Sequence, residues 1–161
     1  LETFTEVILE PRGMTHKIQF PGPTGTNAVE TALKTARKVT GREEIVSFTN
    51  AFHGMTLGAL AATANHAFRQ WAGVPLRDVV RLPFETAPGG KTALSDYAAA
   101  LADPSSGHTP PAAFLVEAVQ AEGVSSLLPA SSSHLPRCPV HEDTQSLLPR
   151  APASLLFPPG K

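Results

Sequence analysis

Up to Gly123 the apolar residues of this chain recur at the periods of regular structure, and beyond Gly123 they do not. That border decides what the chain can fold into. Val29, Ala32, Leu33 and Ala36 fall at i, i+3, i+4 and i+7, one face of a helix, and predict a helix over about 27–39 with Gly41 as its stop. Ile45–Phe48 reads as a strand, 54–64 as a small-residue buried helix, and Leu94–Leu101 as a short helix. Ala112–Val119 is an apolar run interrupted by Glu117, the pattern of a strand covered on both faces. Ahead of these, Leu1, Phe4, Val7 and Ile8 stand at helical spacing before Pro11-Arg12-Gly13, and Lys17–Phe20 is a short strand candidate closed by Pro21-Gly22-Pro23. Residues 65–92 are mixed, broken by Pro75, Pro83, Pro88 and Gly89-Gly90. Strands alternating with helices predict an α/β fold with a mostly parallel sheet. The last 38 residues hold 7 of the 16 prolines, with 7 serines and 7 leucines, and their Leu-Leu pairs follow neither period. The expected organisation is therefore a folded part over 1–123 and a divergent, disordered Pro/Ser/Leu-rich segment over 124–161.

The formal net charge of -1 leaves no electrostatic footprint for nucleic acid or an anionic membrane. No apolar stretch approaches a membrane span, and no basic segment followed by an apolar one opens the chain. The single cysteine, Cys138, fits a reducing compartment. These features set the expectation of a cytoplasmic protein with neither nucleic-acid nor membrane partner. Leu1 already lies in a helical run, so the true start is expected upstream. His16, His53 and His66 do not form a ligand spacing, and no metal site is expected. No Gly-x-Ser-x-Gly elbow points to a hydrolase.

Three places carry candidate chemistry. Thr24-Gly25-Thr26-Asn27 opens the predicted helix of 27–39, where unpaired N–H groups and the positive end of the helix dipole favour a phosphate. Gly25 allows close backbone approach and Thr26 adds a hydroxyl. The segment matches neither GxGxxG nor GxxxxGK(S/T), and read alone it is better explained as an ordinary turn with a Thr or Asn cap. Phe52-His53-Gly54 at a strand exit reads either as an aromatic lid with a functional histidine or as core packing with a hydrogen-bonded structural one. Glu117, inside an apolar run, is either salt-bridged or part of a site.

Taken in order, these pieces carry a resemblance. Phe20-Pro-Gly-Pro-Thr-Gly-Thr-Asn-Ala-Val-Glu30, Ala32 to Arg42, Val46-Ser-Phe-Thr-Asn-Ala-Phe-His-Gly-Met-Thr-Leu-Gly58 and Val116-Glu-Ala-Val-Gln-Ala-Glu-Gly123 resemble the class III pyridoxal-phosphate-dependent aminotransferases. The wording of the first and third segments, and the opening Leu1 to Gly13, is similar to the diaminobutyrate–2-oxoglutarate branch that serves ectoine biosynthesis. The resemblance covers residues 1 to about 123. It implies part of the large domain of the fold-type I architecture. It also implies pyridoxal 5′-phosphate as cofactor and a homodimer with sites at the subunit interface. The implied reaction moves the 4-amino group of L-2,4-diaminobutyrate to 2-oxoglutarate. By the same resemblance Gly25 and Thr26 would bind the cofactor phosphate, Phe52 would stack on its ring with His53 and Gly54 shaping the turn, and Glu117 and Glu122 would line the substrate region.

The chain also departs from that family. Ala118, Ala121 and Val124 stand where the family's Glu-Pro-x-Gln-Gly-Glu-Gly-Gly has Pro, Gly and Gly. The aspartate that pairs with the pyridine nitrogen has no counterpart, since Glu142-Asp143-Thr144-Gln145 lacks a preceding apolar strand. After Lys91 the only lysine is Lys161, outside the Ser-Lys setting of the cofactor-attaching lysine. No catalytic residue is therefore assigned, covalent attachment at the usual lysine is not expected, and the chain is expected to lack transaminase activity. The alternative reading is a non-enzymatic α/β module that binds a phosphate or a partner.

Overall fold

The computed structural model describes residues 1–121, 126–127 and 154–156. It opens with a continuous helical stretch whose winding changes along its length. This comprises α1 (Glu2–Phe4), a π-helical turn at Thr5–Leu9 and a 3-10 turn at Glu10–Arg12. Gly13 ends the stretch at φ 64°, a left-handed conformation that costs glycine little. Leu9 is buried, whereas Leu1, Phe4 and Val7 are exposed. The strand expected at Lys17–Phe20 does not form. Phe20 is 80% exposed, and Pro21 and Pro23 lack the N–H that a ladder needs.

Helix α2 (Gly25–Thr40) begins two residues before its predicted start. The Thr24 hydroxyl accepts the Asn27 N–H at 3.4 Å, and Gly41, at φ 67°, closes the far end. Arg37 and Lys38 lie in the last turn, where they complement the negative end of the dipole. Strand β1 (Ile45–Phe48) follows and becomes the centre of the sheet. Helices α3 (Leu57–Ala62) and α4 (His66–Arg69) lead to β2 (Val79–Leu82), and α5 (Gly90–Ala102) leads to β3 (Ala113–Val116). Strand β1 pairs in parallel with β2, Ile45 opposite Val79, and with β3, Ile45 opposite Ala113. The fold is thus α/β with a three-stranded parallel sheet, as the alternation of elements predicts.

Period-2 alternation distributes the strand side chains between two cores. Ile45, Ala113, Leu115 and Val79 face α2 and α3, where they meet Leu33, Ala36 and Ala62. Val46, Phe114 and Val80 face α5, against Tyr97, Leu94 and Leu101. Phe48, Val116 and Phe84 extend this second core toward the carboxyl ends of the strands. Helices therefore cover both sheet faces, as parallel strands require.

The expectation for 124–161 falls for the most part outside the described residues. Of that segment, β5 (Ser126–Leu127) pairs antiparallel with β4 (Val119–Gln120), and β6 (Ser154–Leu156) pairs antiparallel with β3. Among the described residues no helix is long and apolar enough to cross a membrane.

Candidate functional site

Two of the segments singled out by sequence fit together on the first turns of α2. Gly54, at φ 131°, lies against Thr26: a Cβ at this position would collide with Thr26 Oγ1 and fall 2.6 Å from Thr26 Cβ. Gly58 lies against Glu30 in the same way, where a Cβ would collide with Glu30 Oε2 and fall 3.0 Å from its Cδ. Thr26 and Glu30 are one helical turn apart on the same face of α2. The two glycines repeat that spacing, so the loop and the helix interlock at two successive positions.

Hydrogen bonds close the gap between the glycines. The hydroxyls of Thr26 and Thr56 are 2.7 Å apart, Thr56 donates to Glu30 Oε1 at 2.6 Å, and the Ala59 N–H donates to the same oxygen at 3.0 Å. Thr56 is the N-cap residue of α3, yet its side chain makes no cap bond. The carboxylate of Glu30, carried on another helix, satisfies an otherwise unpaired N–H of α3 instead. Neither Glu30 nor Thr56 was singled out by sequence. The available signal was an acid four residues after Thr26 together with a second glycine four residues after Gly54.

Among the described residues a Cβ on Gly25 would meet nothing within 4 Å, and the first turn of α2 carries no acidic residue. Thr26 is half-buried.

Phe52 and His53 leave β1 at its carboxyl end, the end where ligands of open parallel sheets bind. The Phe52 N–H donates to Glu117 Oε2 at 3.2 Å, so Glu117, just past β3, ties this turn to the neighbouring strand. The half-buried Phe52 ring meets Phe68 edge to face, with centroids 5.5 Å apart and planes at 72°. His53 is buried. Its N–H donates to Thr63 Oγ1 at 3.0 Å, and the Thr63 hydroxyl points at the carbonyls of Gly54 and Ala59. The ring Nε2 is buried without a hydrogen-bond partner among the described residues. Burial, helped by the positive charge of Arg81, lowers the His53 pKa from 6.5 to about 4, so the ring is neutral at neutral pH.

Arg81 was also missed by sequence. It sits on β2, pointing toward α3, and donates to the carbonyls of Ala61 at 2.8 Å and Thr63 at 3.1 Å. It thus caps the C-terminal end of α3. Burial, and then Arg69, lower its pKa. Gln120, wholly buried, donates to the Thr49 carbonyl at 2.8 Å and braces the exit of β1. Of the residues expected to form a site, Thr26 adjoins the Gly54 turn, Gly25 precedes Thr26 in the chain, and Glu117 reaches Phe52. Glu122 lies outside the described residues.

Comparison with known proteins gives a consistent picture. The chain is 54% identical over 123 residues to a diaminobutyrate–2-oxoglutarate transaminase of Sporosarcina pasteurii, an overlap of 76% of this chain and 29% of that protein. It is 58% identical over 116 residues to one of Vibrio cholerae, 72% of this chain and 28% of that protein. The chain thus spans less than a third of the length of these curated relatives. A crystal structure of an S-selective transaminase from Arthrobacter sp. matches the fold with a TM-score of 0.53 at 23% identity, over 67% of this chain and 27% of that one. The profile of the family described as aminotransferase class-III matches residues 2–135, and the chain belongs to that family.

Proposed function

We propose that this chain is the part of a diaminobutyrate–2-oxoglutarate transaminase that holds the phosphate and the ring of pyridoxal 5′-phosphate. The observation that carries the reading is the interlock of Gly54 and Gly58 with Thr26 and Glu30, which brings the Phe52-His53-Gly54 turn to the start of α2. The curated relatives named for that reaction support its substrate pair, L-2,4-diaminobutyrate as amino donor and 2-oxoglutarate as acceptor.

The residues present fit the cofactor. Among the described residues nothing would meet a Cβ on Gly25, no carboxylate lies in the first turn of α2, and the first N–H groups of this 16-residue helix have no partner within the helix, with the dipole behind them. In this reading Gly25 and Thr26 hold the phosphate through their backbone N–H groups. Phe52 lies beside the ring, and Glu117 fixes it by accepting the Phe52 N–H. His53, neutral and buried, keeps the turn in shape. Glu117 and Glu122 flank the substrate region, and a homodimer completes the site. The cofactor, when bound, supplies the electron sink for amino-group transfer. None of the chain's own lysines is assigned a catalytic role, so it holds the cofactor without a covalent bond.

Calorimetric titration of the 161-residue chain with pyridoxal 5′-phosphate, pyridoxal and inorganic phosphate tests the reading. A phosphate held by charge-assisted N–H bonds makes pyridoxal 5′-phosphate bind at least about tenfold more tightly than pyridoxal. Gly25→Asp, which places a negative charge at the helix start, removes the difference. Equal affinity for the two compounds overturns the reading. Inorganic phosphate binding as tightly as pyridoxal 5′-phosphate favours the phosphate-binding module instead.

A further inference from the structure

We propose that Glu30 and Thr56 are positioning residues that point the Thr26 hydroxyl proton away from the phosphate and hold the start of α2 in a donor-poor state. The inference rests on the function proposed above.

The argument is a count of protons. A threonine hydroxyl has one proton and two acceptor lone pairs. The Thr56 hydroxyl lies 2.6 Å from Glu30 Oε1, and a carboxylate can only accept, so the Thr56 proton is directed there. The 2.7 Å contact between Thr56 Oγ1 and Thr26 Oγ1 needs a proton as well. Only Thr26 is left to supply it. Glu30 therefore fixes the direction of the whole chain, with Thr26 donating to Thr56 and Thr56 donating to Glu30. The Ala59 N–H holds the terminal oxygen in place at 3.0 Å, and the missing side chain of Gly58 leaves room for the carboxylate.

The consequence appears at the anion. In this arrangement Thr26 presents lone pairs, not a proton, to a group bound at Gly25. Binding then relies on the backbone N–H groups. The hydroxyl can be recruited only by giving up its bond to Thr56. Removing the Thr56 acceptor without changing its shape frees the Thr26 proton for the phosphate. The variant that deletes a hydrogen bond thus binds the anion more tightly, which is the opposite of what loss of a merely structural bond would do.

The test is titration of the full chain with pyridoxal 5′-phosphate and with inorganic phosphate. Thr56 is exposed, so Thr56→Val is tolerated sterically, and Thr56→Ala removes the same acceptor by a second route. Either should tighten binding of both probes by about threefold to tenfold, the worth of one hydrogen bond. Thr56→Ser, which keeps the hydroxyl, should bind as the wild type does. The gain should vanish when Thr56→Val is combined with Thr26→Val, because the freed proton belongs to Thr26. Unchanged or weaker binding by both Thr56→Val and Thr56→Ala, with a wild type that binds, overturns this inference and leaves the proposed function standing. A wild type whose binding does not depend on the phosphate overturns both.

Discussion

His53 makes the stability of this fold depend on pH over a defined window. The residue is only 6% exposed, its Nε2 has no hydrogen-bond partner among the described residues, and Arg81 stands close enough to disfavour a second positive charge. Protonation would bury an unpartnered charged N–H. Burial is the larger cause of the drop from 6.5 to about 4, and Arg81 is the smaller. In the unfolded chain the ring titrates at its ordinary value. Between the two values the unfolded state binds a proton that the folded state refuses, so stability falls as the pH falls through this window. The contribution is fully present above the unfolded value and is lost by the time the pH reaches the folded one. At about 1.4 kcal/mol per pH unit, the interval corresponds to about 3 kcal/mol, a large share of the 5–15 kcal/mol typical of a domain. Carboxylates titrate over part of the same range, so the measurement is a difference. Urea denaturation of the wild type and of His53→Gln is followed from about pH 7 to about pH 4. The wild type should lose about 3 kcal/mol more than the variant across that span. Parallel curves, agreeing within about 0.5 kcal/mol at every pH, would refute the assignment of the effect to His53.

Leu33 is 1% exposed between α2 and the sheet, and Leu33→Ala should cost about 2–5 kcal/mol in the same denaturation assay. Gly54→Ala places a methyl group on Thr26 at a backbone angle that side chains avoid. It should destabilise the chain by more than about 1 kcal/mol and weaken pyridoxal 5′-phosphate more than pyridoxal in the calorimetric titration.

The elements legible in the sequence are those whose apolar pattern alone fixed their environment. The stripe Val29, Ala32, Leu33, Ala36 gave a helix because one face meets the sheet, and Ile45–Phe48 formed as read because every residue in it is buried. Strand β2 lay hidden in the mixed stretch of 65–92. Arg81 breaks its apolar run, and only the fold reveals that this half-buried guanidinium caps α3. Lys17–Phe20 is the reverse case: its local pattern suggests a strand, but no strand among the described residues pairs with it. The run Ala112–Val119 shortens to Ala113–Val116, because Glu117 turns away to accept the Phe52 N–H. Strand periodicity says which residues can be buried. It does not say which strands will find an edge to join.

The candidate site shows a different kind of legibility. Gly54 read alone is an ordinary turn glycine, and Glu30 read alone is an ordinary charge on a helix surface. Their meaning lies in a matched interval. Two glycines four residues apart face two helix positions four residues apart, and an α-helix returns to nearly the same face after four residues. A loop that must touch a helix at two successive turns cannot carry side chains at both contact points. It therefore needs glycines at the helical repeat, even though most of it is not helical. Thr56, between them, is then free to bond both Thr26 and Glu30. Each motif is weak as a local signal because its constraint comes from the other one.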